Sequence, residues 1–296
     1  MADGSTKARM LALGTAQFGL DYGISNAEGK PPEEQAHQVL ARACAAGISL
    51  LDTASAYGDA EAVIGRCADA GAMAVVTKTP RLTGDAVDRV TTLERAFASS
   101  LARLGRSRVH GLLIHQPGDL DGKAGNAVWS AMREIRESGR AAKLGVSVYA
   151  RDELAAVLDR FEPDLVQLPL SLLDQRALRD GTIDELHARG IEVHARSLFL
   201  QGLIFLPLEG LAPYFAPIAA RLADLHQAVA EAGSTPLAAA LDFGCRSGVD
   251  RIVVGVQTVS HLEESLAALE TEPDIDYSRF AVDDPRFVEP QRWNLR

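Results

Sequence analysis

Six times along this chain a helical pattern ends in a residue followed by glycine, and a short apolar run then begins. The pairs are Ala46-Gly47, Ala70-Gly71, Leu104-Gly105, Ser138-Gly139, Arg189-Gly190 and Ser247-Gly248. Glycine just past a helix tolerates the left-handed conformation that closes the last turn, so each pair reads as a loop from helix to strand. The runs cover residues 49–52, 74–78, 109–115, 143–148, 191–195 and 251–254, and two more, 10–13 and 164–168, fit the same role. Most show no alternation, which suits parallel strands covered on both faces. Between them Val90, Leu93, Phe97, Leu101 and Leu104 fall at helical spacing, as do Val128, Met132 and Ile135, and Val259, Leu262, Leu266 and Leu269. Strands alternating with helices in this way predict an α/β protein, a (β/α)8 TIM barrel forming a single domain over residues 1–296. An open doubly wound sheet is the competing architecture. Residues 205–235 are too long for an ordinary connection and predict an extra helix. Residues 272–296 lack periodicity and read as a C-terminal arm over the barrel.

Composition narrows the partners. Of 296 residues 47% are apolar, enough for a large core, and the net charge is −10. No Lys/Arg cluster or basic stripe stands out, so neither nucleic acid nor an anionic membrane is expected as a partner. Cys44, Cys67 and Cys245 are far apart and make no metal or redox motif; Cys44 and Cys67 fall on predicted helices, as small buried residues. Residues 1–10 have no apolar segment of the signal-peptide kind, and residues 198–208 are too few to span a bilayer. A cytoplasmic protein is the expectation.

In a parallel barrel the chemistry sits on the rim at the C-terminal ends of the strands. Three of the runs end in Asp52, Lys78 and His115, and Tyr57 follows in the loop after the first of these. One carboxylate beside a lysine does not make a divalent-metal site, and one histidine does not make a zinc site. No metal is expected. A rim lysine could form a Schiff base with a carbonyl substrate, as a lyase does. An adjacent Asp52 would instead keep Lys78 protonated, and that charge would lower the pKa of a nearby tyrosine. Tyr57 could then give a proton to a carbonyl oxygen or take one from a hydroxyl, with His115 hydrogen-bonded to the same oxygen. Such a site has no electron pair to offer, so a nicotinamide cofactor is implied. No G-x-G-x-x-G turn follows a strand, and the Gly14–Gly19 segment lacks the lysine of a P-loop.

These residues resemble the aldo-keto reductase family over residues 11–269 or so. The segment Asp52 to Tyr57, Lys78 in V-V-T-K and His115 in L-L-I-H-Q-P match the family's catalytic tetrad in order and context. The resemblance implies further cofactor contacts. Gly14 and Thr15 correspond to the nicotinamide-side strand end, and Ser147 and Gln167 to the carboxamide contacts. Arg196 stands where many members stack a tyrosine on the nicotinamide. Ser197, Gln201 and Gly202 lie in the segment around the pyrophosphate, and Gln257, Thr258, His261 and Glu264 at the adenosine end. Val148 replaces the asparagine often found after that serine. Gln257 and His261 stand where a lysine or arginine and an arginine are common, so NADP(H) is the expected cofactor with NAD(H) possible. The run Gly19–Ile24 and the end of the chain are similar to a bacterial branch described only as oxidoreductases. The resemblance thus implies reduction of an aldehyde, ketone or sugar-like carbonyl, or the reverse oxidation, with Tyr57 as general acid or base. The alternative is a cofactor-binding regulatory subunit with little turnover.

Overall fold

A computed structural model describes residues 4–295. Eight parallel strands close on themselves in sequence order: β1 (Leu11–Gly14), β2 (Leu50–Asp52), β3 (Ala74–Lys78), β4 (Val109–Ile114), β5 (Ala141–Ser147), β6 (Leu165–Pro169), β7 (Glu192–Arg196) and β8 (Arg251–Gly255). β1 pairs with β8 through Leu11 to Ile252 and Gly14 to Gly255, so no edge is left open and the doubly wound alternative is ruled out. No strand end moves by more than two residues from the sequence reading.

Side chains alternate along each strand, and the inward set explains the rim. Ala12, Leu50, Val76, Leu113 and Leu165 form an apolar cluster inside the barrel. Two residues beyond them come Gly14, Asp52, Lys78, His115 and Gln167. Neighbours such as Leu51, Val75, Leu112 and Val166 point the other way and pack under the helices. β7 breaks the rule of apolar filling. It alternates after all, with Glu192 and His194 interrupting the apolar Val193 and Ala195. His194 is fully buried and its Nε2 meets Glu192 Oε1 at 2.7 Å. Glu192 also pairs with Lys143 on β5.

The helices expected from spacing are present as Ala86–Leu104, Gly122–Glu137 and Val259–Ala268. The first opens with a capping box at Asp85 and closes at Gly105 in the left-handed region, φ 63°. Gly71 is the exception among the loop glycines. It lies in a 3-10 turn, Ala68–Ala72, whose last turn closes by Met73 N donating to Ala70 O, so no left-handed residue is needed. Cys67 likewise sits not on a helix but at the extended cap after helix Ala60–Arg66. The connection from β7 to β8 holds the extra helix, Ala219–Glu231, ahead of Pro236–Arg246. The C-terminal arm consists of short turns fixed to the body. Tyr277 Oη donates to Asp242 Oδ2 (2.9 Å), and Arg176 bridges the buried carboxylates of Asp174 and Glu289 at 2.8 and 2.9 Å. Among the described residues no helix is long and apolar enough to cross a membrane.

Candidate active site

The rim residues meet in one hydrogen-bonded chain. Lys78 Nζ donates to Asp52 Oδ1 at 2.6 Å and to Thr53 O at 3.0 Å. Gln167 Nε2, from across the barrel, donates to Asp52 Oδ2 at 2.7 Å. Lys78 is 1% exposed and Gln167 0%. Asp52 is therefore held on both oxygens, and Gln167 is left with a buried, unpartnered Oε1.

Tyr57 lies over this chain because the loop after β2 is tied to the end of β3. Ser55 donates to Lys78 O from both its N–H (3.2 Å) and its hydroxyl (2.9 Å), and Tyr57 N donates to Ala54 O at 3.0 Å. From the other side the loop rests on the turn Ala16–Gly19. There the backbones of Gly19 and Gly58 touch: a Cβ on Gly19 would lie 1.8 Å from Tyr57 O, and one on Gly58 2.3 Å from Gly19 O. The phenol ring then has Lys78 Nζ 5.2 Å from its centroid and His115 edge-on, with centroids 5.9 Å apart at 82°.

The electrostatics correct one expectation. Tyr57 is not lowered but raised above its ordinary pKa, first by burial and then by the Asp52 carboxylate. The charge that opposes this is Arg196; Lys78 has its ammonium committed to Asp52 and Thr53. Burial also pulls Lys78 down, against Asp52. His115 is held at about 4 by burial and by the nearby Lys78 and Arg196 charges, so its imidazole is neutral at pH 7.

The remaining expected residues fall into separate groups. Arg196 donates to Ser147 Oγ (3.3 Å), Ser197 Oγ (3.2 Å) and Val148 O (3.0 Å). Its guanidinium lies 3.8 Å from the Tyr149 ring centroid. Ser197, Leu200, Gln201 and Gly202 all have positive φ, at 63°, 45°, 54° and 95°. Three non-glycine residues so close together store backbone strain, a feature that clusters at functional sites. Gln201 O accepts from Ile24 N at 2.9 Å, bringing the loop after β1 against this segment. The far end of that loop is held by Gln257 Nε2 donating to Gly29 O at 2.9 Å. Thr15 Oγ1 donates to Asp52 O at 3.0 Å, and Thr258 Oγ1 caps its helix by accepting from His261 N at 3.1 Å. His261 and Glu264 stand exposed on helix Val259–Ala268, away from the tetrad.

Two aromatic residues at the mouth received no role from the sequence. Tyr149 comes two residues past Ser147, and Tyr22 stands exposed on the loop after β1. An aromatic residue just past a strand end was the available signal. Behind Tyr149 is a cavity of about 470 Å³ lined by Val148, Leu154, Leu168, Arg176 and Thr182, and none of the tetrad borders it. Among the described residues no group of three or more His, Cys, Asp or Glu side chains is arranged to hold a metal ion.

A closed parallel barrel with Asp, Lys, Tyr and His gathered on one rim defines a narrow class of protein. The chain belongs to the aldo/keto reductase family, whose profile matches residues 10–279. It is 33% identical over 158 residues to an aldo-keto reductase of Mycolicibacterium smegmatis, covering 51% of this chain and 54% of that one. An aldo-keto reductase of Mycobacterium tuberculosis is 33% identical over 153 residues, 50% of this chain and 53% of its own. The chain thus spans about half the length of the curated relatives it matches. By structure it is similar to an aldo-keto reductase from Bacillus halodurans in its holo form, with a TM-score of 0.75 and 18% identity over 92% of this chain and 90% of that one.

Proposed function

We propose that this chain is an NAD(P)(H)-dependent oxidoreductase that reduces an aldehyde, ketone or sugar-like carbonyl. The observation that carries this reading is the buried Lys78–Asp52–Gln167 chain directly beneath Tyr57 and His115. In reduction Tyr57 Oη gives its proton to the carbonyl oxygen. A raised pKa suits that direction, because the phenol stays protonated through neutral pH. Neutral His115 donates its one ring N–H to the same oxygen and polarises the bond. Asp52 holds Lys78, and the ammonium lies near the ring face of Tyr57. The same pairing and 1% exposure leave Lys78 no open face for a substrate carbon, which speaks against Schiff-base chemistry.

The residues present fit a nicotinamide cofactor. Gln167 Oε1 is a buried acceptor with no partner, suited to a carboxamide N–H. Ser147 lies beside it on β5, paired in register with Gln167. Gly14 and Thr15 with Arg196 would border the ring, and Ser197, Gln201 and Gly202 the pyrophosphate. Gln257, Thr258, His261 and Glu264 would face the adenosine. When bound, the reduced cofactor supplies the hydride that the carbonyl carbon takes up. NADP(H) is the preferred form in this reading and NAD(H) a second one. Cys44, Cys67 and Cys245 are free thiols, which fits a cytoplasmic setting.

The test is a panel of aldehydes, sugars and α-keto compounds with each reduced cofactor. Carbonyl-dependent loss of the reduced-nicotinamide absorbance is expected. Tight cofactor binding with no turnover on any carbonyl would leave a binding subunit instead.

A further inference from the structure

We propose that Arg196 sets the charge of the site so that it binds the reduced nicotinamide more tightly than the oxidised one, and thereby favours carbonyl reduction. This rests on the cofactor reading above. The guanidinium is permanently charged. Its three hydrogen-bond acceptors, Ser147 Oγ, Ser197 Oγ and Val148 O, are neutral, and its flat face is covered by Tyr149. Among the described residues no carboxylate pairs with it. Arg176, by contrast, has Asp174 and Glu289, and Lys78 has Asp52.

Counting the rim gives a net positive charge. Asp52 and Lys78 form an ion pair and offset one another. His115 is neutral at pH 7, and the Tyr57 phenol is protonated. Arg196 remains. Its charge is felt at Tyr57, Lys78 and His115 alike, each of which it pulls down, so its field covers the place where a carbonyl would be polarised.

Hydride transfer requires the nicotinamide ring to touch that carbonyl. The reduced ring is neutral and the oxidised ring carries one positive charge. In reduction, the carbonyl carbon would take up the hydride that a bound reduced cofactor supplies, while Tyr57 gives its proton to the oxygen. A neutral alcohol and a Tyr57 phenolate result; once the phenol has taken a proton back from solvent, as its raised pKa favours, an oxidised ring would be left beside an uncompensated guanidinium. Repulsion there weakens binding of the oxidised form and assists its release. In the reverse direction the same repulsion opposes entry of the oxidised cofactor.

The test is to measure dissociation constants of the full chain for NADPH, NADP⁺, NADH and NAD⁺ by fluorescence and calorimetric titration. Wild type is compared with Arg196→Gln, which removes the charge and keeps a donor, and with Arg196→Lys, which keeps the charge. Arg196→Met replaces the Gln variant if that one does not fold. Each oxidised-to-reduced ratio is taken on one preparation, so partial loss of folded protein cancels. The ratio should fall by about tenfold or more in Arg196→Gln, as expected on removing a nearby unit charge from a partly desolvated site. It should stay near wild type in Arg196→Lys. An unchanged ratio in the neutral variant, with both forms still bound, overturns the inference and leaves the reductase reading intact. That includes the case in which the variant instead loses affinity only for carboxylate-bearing substrates. Wild-type protein that binds no form of either cofactor overturns the reductase reading and this inference together.

Discussion

Gly19→Ala should damage turnover without touching any reacting group. Gly19 ends a short turn on the rim, and its Cα faces the carbonyl of Tyr57. A methyl group there would sit 1.8 Å from Tyr57 O and 2.7 Å from Ala60 N, both backbone atoms with no rotamer to escape into. Ordinary contact begins at 3.4 Å, so the two segments must part by about 1.6 Å. Gly58, at φ 54°, closes the other half of the contact and cannot yield easily. The displaced loop carries Tyr57. A misplacement of about 1 Å in a reacting constellation costs roughly 100-fold, so kcat should fall by about that factor or more. The assay is turnover at saturating cofactor and carbonyl, with cofactor affinity measured beside it. Gly47→Ala is the control. It strains a left-handed loop glycine, φ 85°, with nothing within 4 Å of the new methyl, and lies before β2, at the opposite end of the barrel from the rim. It should lose some stability and keep its kcat. If Gly19→Ala turns over as fast as that control, the Gly19–Gly58 contact does not position Tyr57.

Three further outcomes follow from other parts of the structure. His115 is held at about 4 when folded against roughly 6.5 unfolded. The unfolded chain takes up the proton first, so this histidine's share of stability is whole above about pH 6.5 and lost on the way down to about pH 4. That loss is about 3 kcal/mol, and urea unfolding of His115→Gln should lack this part of the acid slope. Glu289→Ala should destabilise the chain by roughly 3–5 kcal/mol in thermal or urea unfolding, because it leaves the partly buried Arg176 with only Asp174 and releases Arg292. A loss below about 1 kcal/mol would mean the arm is held without this pair. Finally, Gln257 is tied to Gly29 and brings no charge, so on the proposed cofactor placement His261 is the basic side chain left to meet a 2′-phosphate. Preference for NADP(H) over NAD(H) should shrink in His261→Ala, as read from dissociation constants of both cofactors. A preference that the variant leaves unchanged would place the phosphate elsewhere.

The barrel was legible because its signals are local. Short apolar runs after Gly47, Gly105 or Gly190 need only neighbouring residues to be recognised, and the tetrad follows once each run is given a rim. What depends on distant segments meeting was not legible. Gln167 reaches Asp52 across the barrel, and the helpful signal, a glutamine at a strand end, says nothing about which carboxylate it meets. The Gly19–Gly58 contact involves two glycines that look like ordinary turn residues. In β7 the alternation of Glu192, Val193 and His194 was present in the sequence. The inward polar face it makes, a Lys143–Glu192–His194 cluster with His194 Nδ1 left unpartnered, depends on β5 and β7 facing one another across the barrel. The direction of the Tyr57 shift was misread for a related reason. Adjacency suggested that Lys78 would lower it, whereas burial and Asp52 outweigh a lysine already neutralised by its partner.

The most direct measurement is single-turnover and steady-state reduction by Tyr57→Phe beside the parent chain, using a carbonyl that the parent reduces. The variant lacks only the proton that Tyr57 gives to the carbonyl oxygen. Its kcat should fall by about 10²–10⁴, the usual worth of a positioned general acid, while the cofactor dissociation constant stays near that of the parent. Turnover close to the parent's, with folding and cofactor binding intact, would contradict the assignment of Tyr57 as the proton donor.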